Sequence, residues 1–414
     1  MRKRAQGTEH EYTLYCSKMD ELSIDPHNVA IDILRNSNLH CKGEFTINQS
    51  RVYYDVGHLE LSTCEVSSPY DLVIWEKAGE KIVDWLRKKV EEKYCGKNMY
   101  VWAYKNNTSP DGTSYGSHEN YCVARKVKFP ERFLNELVPH LTTRMIYCGA
   151  GDIIDGKYVL SPNTYLTSHI ISDNTMHGTG VLNTRDEPHS DEKYRRLHLL
   201  IGDALMNENS IFLRNFTTSA ILQLMEDEKL NDVPKLEKPL EDMWNNVELR
   251  NPDKWKIELK NGTTTPIDIQ RYYLAKAESI IENENERKAI KIWEEVLNKL
   301  EKKDNSLSKK IEWLDRYKAI TEYNGDDMKV CKRYSEIGVE RSIFYDRQRK
   351  GIVDRLLSDD DILNAIYNPP NDTRANARRK ICEKLEAQGI DWSYVIVDGR
   401  KLSLTEPLSP DWSD

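Results

Sequence analysis

Glu9-His10-Glu11-Tyr12-Thr13-Leu14-Tyr15 is the stretch of this sequence that most directly predicts a fold. Successive side chains of a β-strand point to opposite faces, so Glu9 and Glu11 would share one face while Tyr12 and Leu14 share the other. We therefore predict a strand with one carboxylate face and one apolar face. An exposed edge strand with solvated glutamates is the alternative interpretation of the same pattern.

A second strand is predicted over residues 51–56, one face of which would carry Tyr53 and Asp55. Glu60 follows Asp55 by five residues, so the two carboxylates would face opposite sides of an unbroken strand. Gly57 lies between them and could host a bulge or a tight bend. Either feature would return both carboxylates to one face.

The rest of the chain mixes strands with helices. Apolar residues recur at helical spacing over residues 72–90, behind the helix-start signal at residues 67–69. Residues 100–104 and 195–200 have the pattern of strands, and residues 217–225 that of a helix. Because the two kinds of element do not alternate as regular βαβ units, we predict an α+β fold with a largely antiparallel sheet.

A change in character late in the chain predicts two domains. Long, charged amphipathic helices are predicted at 267–284, 287–302 and 307–320, and their lysine- and acid-rich surfaces are most often solvated. Residues 395–402 read as a hairpin with an Asp-Gly turn. We predict a large domain over residues 1–330 and a small C-terminal domain over residues 331–414.

The composition limits the classes of function. The chain has 414 residues, 68 of them acidic and 60 basic, with a net charge of -8 and no dense basic block, which argues against nucleic-acid binding. The charged N-terminus lacks the apolar stretch of a secretory signal, and no run approaches the roughly 20 apolar residues that span a bilayer. We expect a cytoplasmic protein without membrane contacts. The eight cysteines form no C-x-x-C pair and are expected to be reduced.

The paired glutamates of the first strand predict a metal site. Buried carboxylates need cations or strong hydrogen-bond donors to remain ionised. Mg²⁺ is the natural partner, since it prefers oxygen ligands and binds through a few carboxylates plus substrate phosphates. If the face of Glu9 and Glu11 points inward, we expect Mg²⁺ there.

The segment over residues 183–198 is dense in cationic side chains, namely Arg185, His189, Arg195, Arg196 and His198. Guanidinium groups hold phosphate oxygens through bidentate hydrogen bonds. In a strand over 195–200, Arg196 and His198 would share a face. Acidic strands and a basic segment together indicate a metal–nucleotide site. Without a P-loop or a G-x-G-x-x-G after a strand, this site would be neither the Walker nor the Rossmann kind.

Several segments together resemble the Pup ligase and depupylase family, whose two branches attach and remove a small ubiquitin-like protein tag, Pup. The similar segments are G-T-E-H-E-Y (7–12), R-V-Y-Y-D-V-G-H-L-E (51–60), W-E-K-A-G-E (75–80), K-N-N-T-S-P-D-G-T-S-Y-G-S-H-E-N-Y (105–121), T-R-M-I-Y-C-G-A-G (143–151), N-T-R-D-E-P-H-S-D-E-K-Y-R-R-L-H (183–198), I-E-W-L (311–314) and P-P-N-D-T-R-A (369–375). The resemblance implies a glutamine-synthetase-like carboxylate–amine ligase fold, in which a curved antiparallel sheet holds ATP, or ADP with phosphate, and Mg²⁺.

The resemblance also implies roles for individual residues. Asp55 resembles the catalytic aspartate of the family, acting as base or nucleophile at the C-terminal γ-carboxyl or γ-amide of the tag. The implied metal or nucleotide ligands are Glu9, Glu11, Arg51, Tyr53, Glu60 and His198. The arginines that resemble phosphate- or carboxylate-holding groups are Arg185, Arg196 and Arg374. Trp313 would line the adenine pocket, or else be a core tryptophan of an amphipathic helix.

The two branches of the family are harder to separate. The five-residue step from Asp55 to Glu60, the run over 269–277 and P-P-N-D-T-R-A look like the depupylase branch, and we expect hydrolysis of the tag's isopeptide or amide bond. Asp55-Val56-Gly57 and Cys148-Gly149-Ala150-Gly151 look instead like the ligase branch, which leaves ligation to lysine-bearing proteins open. A divergent homologue in another peptide-modifying pathway is the third possibility.

Two departures from the family pattern accompany this resemblance. His58-Leu59-Glu60 stands where the family usually has His-Pro-Glu. Residues 334–338, Tyr-Ser-Glu-Ile-Gly, replace a segment in which the family normally has an arginine. Contacts made by the C-terminal region are therefore expected to differ from those of the family.

Overall fold

The structure is a computed structural model that describes residues 1–94, 100–109, 112–174, 179–186, 192–323 and 325–412. These residues group into two compact units. The first unit consists of residues 1–2, 107–334 and 347–355, and the second of residues 3–106, 335–346 and 356–414. Most of the C-terminal 84 residues therefore group with the first quarter of the chain, and the predicted domain boundary at residue 330 stays a prediction.

The strands, numbered along the chain, are β1 (Gln6–Tyr15), β2 (His40–Lys42), β3 (Phe45–Thr46), β4 (Arg51–Asp55), β5 (His58–Ser62), β6 (Trp102–Tyr104), β7 (Ser117–Ala124), β8 (Asp152–Ile154), β9 (Lys157–Val159), β10 (His169–Ser172), β11 (Gly180–Asn183), β12 (Tyr194–Leu199), β13 (Ile257–Leu259), β14 (Gly262–Thr264), β15 (Ala387–Asp391), β16 (Tyr394–Val397) and β17 (Arg400–Ser403).

The α-helices are α1 (Ser17–Glu21), α2 (Pro26–Arg35), α3 (Pro69–Tyr94), α4 (Val138–Thr143), α5 (Met145–Cys148), α6 (Pro162–Leu166), α7 (Glu208–Glu226), α8 (Pro239–Val247), α9 (Pro266–Ala277), α10 (Glu284–Glu301), α11 (Glu312–Glu322), α12 (Asp327–Tyr334), α13 (Ile343–Arg349), α14 (Asp359–Tyr367) and α15 (Arg374–Lys384). A π-helical turn covers Phe133–Leu137, and short 3₁₀ segments cover Pro252–Lys254, Glu278–Ile280 and Asn305–Lys309.

The second unit is built on an antiparallel sheet. Its strands lie in the order β1-β5-β4-β3-β2, and β6 pairs with the far end of β1. Along β1, fully buried residues alternate with half-buried ones, as the polar and apolar alternation predicts. Helix α3 begins at Pro69, close to its predicted start, and packs against β1 and β6. A separate three-stranded sheet of β15, β16 and β17 completes the unit.

The first unit contains the strand order β10-β11-β12-β7, in which β10 and β11 are parallel and the other pairs antiparallel. Every residue of helix α7 is buried, which makes this helix the core of the unit. Helices and mainly antiparallel strands thus occur in both units, and the predicted α+β class is confirmed. Among the described residues, no helix combines the length and apolar composition that crossing a bilayer requires.

Local signals set several boundaries, and two predicted helices are shorter than expected. Helix α9 begins with a capping box, in which Thr265 and Asp268 satisfy each other's backbone N–H groups. It ends at Ala277, before residue 284, because a 3₁₀ turn and the N-cap Asn283 of α10 follow. Likewise a 3₁₀ segment occupies residues 305–309, so α11 begins only at Glu312. The predicted Asp-Gly hairpin is present as β16 and β17.

Candidate active site

A tight turn joins β4 to β5 and resolves the spacing of the two carboxylates. Val56 and Gly57 form the two-residue connection, with φ angles of 43° and 94°, and Asp55 pairs directly with His58 across it. Positive φ at both central residues is the geometry of a type I′ hairpin turn. The tight bend predicted as one of two alternatives at Gly57 is therefore what the chain forms.

The register of three neighbouring strands brings the predicted acidic residues onto one face of the sheet. Glu11 on β1 lies opposite Glu60 on β5, and Glu60 lies opposite Tyr53 on β4. Residues opposite one another in a ladder share a face, as do residues two apart in one strand. This face, which we call the carboxylate face, carries Glu9, Glu11, Arg51, Tyr53, Asp55, His58, Glu60 and Ser62.

Burial differs along the carboxylate face. Glu60 is buried, Glu9 and Glu11 are half-buried, and Asp55 is exposed at the end of its strand. A carboxylate exposed beside half-buried ones is accessible to a reactant from solvent, whereas Glu60 is held within the protein. Solvent exposure thus falls from Asp55, at the end of β4, to Glu60 on β5.

Two polar contacts fix side chains on this face. His58 Nδ1 lies 2.8 Å from Glu11 Oε2, and because an ionised carboxylate only accepts, we assign Nδ1 as the donor. The Tyr53 hydroxyl lies 3.3 Å from Ser62 Oγ. Burial, and then the negative charges of Glu60 and Glu9, raise the pKa of the Tyr53 hydroxyl well above its usual range. Tyr53 is therefore protonated and can donate a hydrogen bond.

The donor set of this face suits a hard divalent cation. Glu9, Glu11 and Glu60 offer only oxygen ligands, and their mutual repulsion in a half-buried setting favours a bound positive charge. The nearby guanidinium of Arg51 is already paired, since its Nε donates to Glu44 Oε2 at 2.8 Å. Arg51 also lies 4.8 Å from the centroid of the Tyr53 ring, which places a cation over the aromatic face.

In the other unit, the predicted pair Arg196 and His198 lies on one face of β12. His198 is opposite Asn120 on β7, and Arg196 Nε donates to Asn120 Oδ1 at 2.7 Å. His118 shares this face, and its ring centroid is 5.0 Å from that of His198 in an edge-to-face arrangement. The face therefore combines two imidazoles, an amide and a guanidinium.

The neighbouring arginines of the basic segment have different surroundings. Asp186 accepts a hydrogen bond from the Arg196 backbone N–H at 2.9 Å and pairs with Arg125 at 2.7 Å and Arg195 at 3.4 Å. Arg185 is exposed just after β11, where its backbone N–H donates to Asn183 Oδ1. His189 lies outside the described residues. The predicted roles of Arg185 and Arg196 stay predictions.

Arg374 and Trp313 are both buried in the interior of their units. Arg374 Nε donates to Glu65 Oε1 at 2.5 Å, and Arg378 donates to both oxygens of the same carboxylate. Burial raises the pKa of Glu65, but Arg378 and Arg374 outweigh it and hold that pKa below the usual range. The Trp313 indole N–H donates to the Ile146 carbonyl at 3.0 Å. Both environments favour structural roles, including the core alternative for Trp313.

Sequence reasoning did not assign roles to three polar residues that the structure places beside the predicted ones. His58 and Ser62 belong to the carboxylate face, and His118 lies beside His198. Once β5 is recognised as a strand, the two-residue spacing of His58, Glu60 and Ser62 would have predicted the first two. His118 had no such signal, because its relation to His198 depends on the pairing of β7 with β12.

Comparison with known sequences gives one consistent family. A profile described as Pup-ligase protein matches residues 24–396. A Pup–protein ligase of Kribbella flavida is 29% identical over 425 residues, covering 95% of this chain and 93% of the relative. A Pup–protein ligase of Geodermatophilus obscurus is 31% identical over 427 residues, again covering 95% of this chain and 93% of the relative.

Two solved structures resemble the whole chain. The complex between the prokaryotic ubiquitin-like protein Pup and its ligase PafA superposes with a TM-score of 0.87 at 28% identity, covering 99% of this chain and 90% of that one. The Pup ligase PafA in complex with ADP superposes with a TM-score of 0.80 at 28% identity, covering 94% of this chain and 91% of that one.

These matches correct the expected direction of the reaction. The preference for depupylase or deamidase activity is wrong, because the matching profile is described as Pup-ligase protein and both relatives are named Pup–protein ligases. The segments that favoured hydrolysis explain the error: residues 269–277 lie within helix α9, and Arg374 of P-P-N-D-T-R-A is paired with Glu65. Packing constrains such segments whichever way the reaction runs.

Proposed function

Because the chain belongs to the Pup-ligase family, we propose that it joins the C-terminal γ-carboxylate of a small, disordered Pup-like tag to a lysine amine of a target protein at the expense of ATP. The family match and the ligase names of both relatives support this direction. The Pup and ADP complexes of the neighbouring structures support a protein tag and a nucleotide as ligands.

The observation that carries the proposal is the placement of Asp55 on the carboxylate face. Its strand ends at this residue, the turn at Val56 and Gly57 leaves it exposed, and three glutamates lie on the same face. An exposed carboxylate there is accessible to a lysine ammonium group from solvent. The buried end of the face provides oxygen ligands for Mg²⁺, which when bound neutralises charge on phosphate oxygens.

The chemistry that we propose has two balanced steps. The γ-carboxylate of the tag first takes the terminal phosphoryl group of ATP, which gives an acyl phosphate and ADP. The lysine amine then attacks the acyl carbon, Asp55 accepts the proton that the amine loses, and inorganic phosphate leaves. The products are the isopeptide bond, ADP and phosphate.

Residues of the carboxylate face support these steps by holding charges in place. The protonated Tyr53 hydroxyl can donate to a phosphate or carboxylate oxygen, while His58 orients Glu11. In the other unit, Arg185 and Arg196 are proposed nucleotide contacts, since guanidinium groups bind phosphate oxygens well, and His198 is a proposed metal or nucleotide ligand. We leave Arg374 and Trp313 out of the proposed contacts because both are buried and paired.

Nucleotide stoichiometry tests the proposal. We would mix the full chain with ATP, Mg²⁺, a tag ending in Gly-Gly-Glu and a lysine-bearing protein, and count ADP and conjugate. One ADP per conjugate is expected, because amide formation from a carboxylate must be driven. Release of tag from a preformed conjugate without matching ADP, and no conjugate in the forward reaction, would overturn it.

The aspartate has a matched control within the same unit. Asp55→Asn should abolish conjugation while ATP still binds, since the amide is nearly isosteric but not basic. Asp398 also lies at a two-residue hairpin turn, where its φ is 48° and it is exposed. Asp398→Asn should therefore conjugate at the wild-type rate.

A further inference from the structure

Four charged residues are buried together behind the carboxylate face. Glu76, Lys77 and Glu80 come from the W-E-K-A-G-E segment within α3, and Lys105 follows β6. Each is at most 1% exposed. We call this group the α3 ion cluster. Its two carboxylates and two ammonium groups carry no net charge.

Short contacts bind the α3 ion cluster together. Lys105 Nζ donates to Glu76 Oε1 at 2.8 Å and to Glu80 Oε1 at 2.9 Å, and Lys77 Nζ donates to Glu80 Oε2 at 2.5 Å. The Tyr345 hydroxyl also donates to Glu80 Oε2, at 2.7 Å. Burial opposes ionisation, but the charges of Lys105 and Lys77 lower the pKa of Glu80, and those of Glu76 and Glu80 raise the pKa of Lys105. Glu80 and Lys105 therefore form a buried ion pair.

One member of the cluster also holds strand β1. Glu76 Oε2 accepts from Thr8 Oγ1 at 3.3 Å, and Glu76 Oε1 lies 3.1 Å from His10 Nε2. Thr8 and His10 are the neighbours of Glu9 in sequence, and strand alternation directs them to the face opposite to Glu9. Glu76 thus accepts a hydrogen bond from β1 on one side of Glu9 and lies close to the imidazole of β1 on the other.

Helix α3 also approaches strand β5 next to Glu60. A Cβ atom added to Gly79 would lie 2.8 Å from Leu61 Cδ2, so only glycine fits this approach without rearrangement. Leu61 lies between Glu60 and Ser62 in sequence and on the opposite face of the strand. The same helix therefore supports both strands that present the glutamates.

From these contacts we propose that Glu76 is a positioning residue for the divalent cation, acting through β1 to hold the Glu9 carboxylate where it binds. This inference rests on the proposed function, in which Glu9 is a ligand of Mg²⁺. Buried ion pairs contribute little net stability compared with apolar packing. They do fix geometry, and a metal ligand must be held more accurately than a fold requires.

A purely structural cluster is the competing explanation, and the same helix provides its control. Asp84 is also buried in α3, where its Oδ1 accepts from Arg87 Nε at 2.8 Å. It lies further along the helix than Glu76, which makes the contacts with Thr8 and His10. Glu76→Gln and Asp84→Asn both replace the carboxylate of a buried ion pair by its amide. If burial alone mattered, the two variants would behave alike.

The experiment measures binding of Mg²⁺ in the presence of ATP, by calorimetry on the full chain below the unfolding temperature of every variant. We expect Glu76→Gln to weaken Mg²⁺ binding by about tenfold or more, which is typical for loss of an outer support of a metal ligand. Asp84→Asn should stay within about twofold of wild type. Equal losses in the two variants, or wild-type affinity in Glu76→Gln, overturn the proposal.

Two further variants make every outcome decisive. Thr8→Val removes only the hydroxyl that Glu76 accepts from, so if Glu76→Gln does not fold, a severalfold loss in Thr8→Val supports the proposal and wild-type affinity overturns it. Glu9→Gln tests the proposed function separately. If Glu9→Gln keeps full Mg²⁺ affinity, the metal site itself is wrong; if it loses Mg²⁺ while Glu76→Gln does not, only the positioning role is wrong.

Discussion

Asp55 and Glu60 are five residues apart and lie on the same face of the sheet, because the two-residue turn at Val56 and Gly57 places them on adjacent strands. In one unbroken strand their side chains would point in opposite directions. The turn therefore creates the carboxylate face, and the residues that shape it, support it or stabilise its unit can be tested separately.

Replacement of Val56 by asparagine should stabilise the protein. Val56 is 62% exposed and has a φ of 43°, a conformation that is strained for a β-branched residue and common for asparagine in type I′ turns. We expect Val56→Asn to raise the free energy of unfolding by about 1 kcal/mol in denaturant titrations. Gly57→Ala should lower it, since Gly57 has a φ of 94° although no atom lies within 4 Å of its added Cβ. A less stable Val56→Asn would contradict this account.

Loss of the His58 side chain should weaken metal binding through Glu11. The His58 Nδ1 contact of 2.8 Å orients the Glu11 carboxylate, and removing such a support commonly costs about tenfold in metal affinity. His58→Ala should show that loss in a Mg²⁺ titration. His58→Asn should recover much of it, because the asparagine amide nitrogen can replace Nδ1. His40→Ala, in strand β2 of the same unit, serves as the control and should bind Mg²⁺ normally.

Arg196→Lys should impair catalysis more than Arg195→Lys. Arg196 Nε donates to Asn120 at 2.7 Å on the face that carries His198, and lysine keeps the charge but loses the planar fork. We expect kcat/KM for ATP to fall by roughly tenfold or more. Arg195 instead stacks on Phe129 at 4.5 Å and pairs with Asp186, so its lysine variant should change kcat/KM little. Equal kcat/KM values for the two variants would remove Arg196 from the nucleotide contacts.

Arg374 should matter for stability and not for ligand binding. Arg374 is a buried partner of Glu65, and replacing it by methionine leaves part of the negative charge of the Glu65 carboxylate uncompensated. Such a loss typically lowers the free energy of unfolding by about 3 kcal/mol or more. Arg374→Met should unfold at a lower denaturant concentration, with KM for ATP unchanged at low temperature. Arg379→Met, on the same helix, should lose less stability because Arg379 pairs with an exposed glutamate. A raised KM without loss of stability would instead restore the predicted ligand-holding role of Arg374.

Glu336 should make the protein less stable as the pH rises from about 4.5 to about 7. Burial raises its pKa from the ordinary 4.5 to about 7, while Oε1 accepts from the Gly338 N–H at 3.1 Å. In that range the folded state keeps a proton that the unfolded chain has released, so unfolding releases protons and its free energy falls with pH. The full decrease in the free energy of unfolding, at most about 3 kcal/mol, is reached above pH 7.

Glu336→Gln should remove this dependence. In denaturant titrations, the free energy of unfolding of the variant should therefore rise relative to that of the wild type from pH 4.5 to 7. Glu340 provides a control of opposite sign. Although burial opposes it, the Glu340 backbone and Arg87 hold the pKa of Glu340 below its ordinary value. The stability that Glu340 contributes is present above pH 4.5 and is lost on acidification. The free energy of unfolding of Glu340→Gln should therefore fall relative to that of the wild type as the pH rises. Parallel pH profiles for wild type and Glu336→Gln would contradict the raised pKa.

Local periodicity allowed much of the fold to be predicted. Alternation in Glu9 to Tyr15 predicted β1 and its carboxylate side, and the helical spacing after Pro69 predicted α3. The Asp-Gly pair predicted the hairpin of β16 and β17. Each of these depends on neighbours in the chain, because strand and helix periods are properties of consecutive residues. Helix ends were less accurate, since 3₁₀ turns such as residues 305–309 interrupt a continuous amphipathic pattern.

The sequence by itself thus determined the α+β class, the strands that carry Glu9, Glu11 and Asp55, and the family. Only the tertiary structure decided that Glu60 faces the same way as Asp55, that His58 supports Glu11 and that Arg374 forms an ion pair with Glu65. The physical reason is distance along the chain. Periodicity orients a side chain relative to its own strand, whereas a contact across 47 or 309 residues depends on strand register and helix packing, which no local pattern encodes.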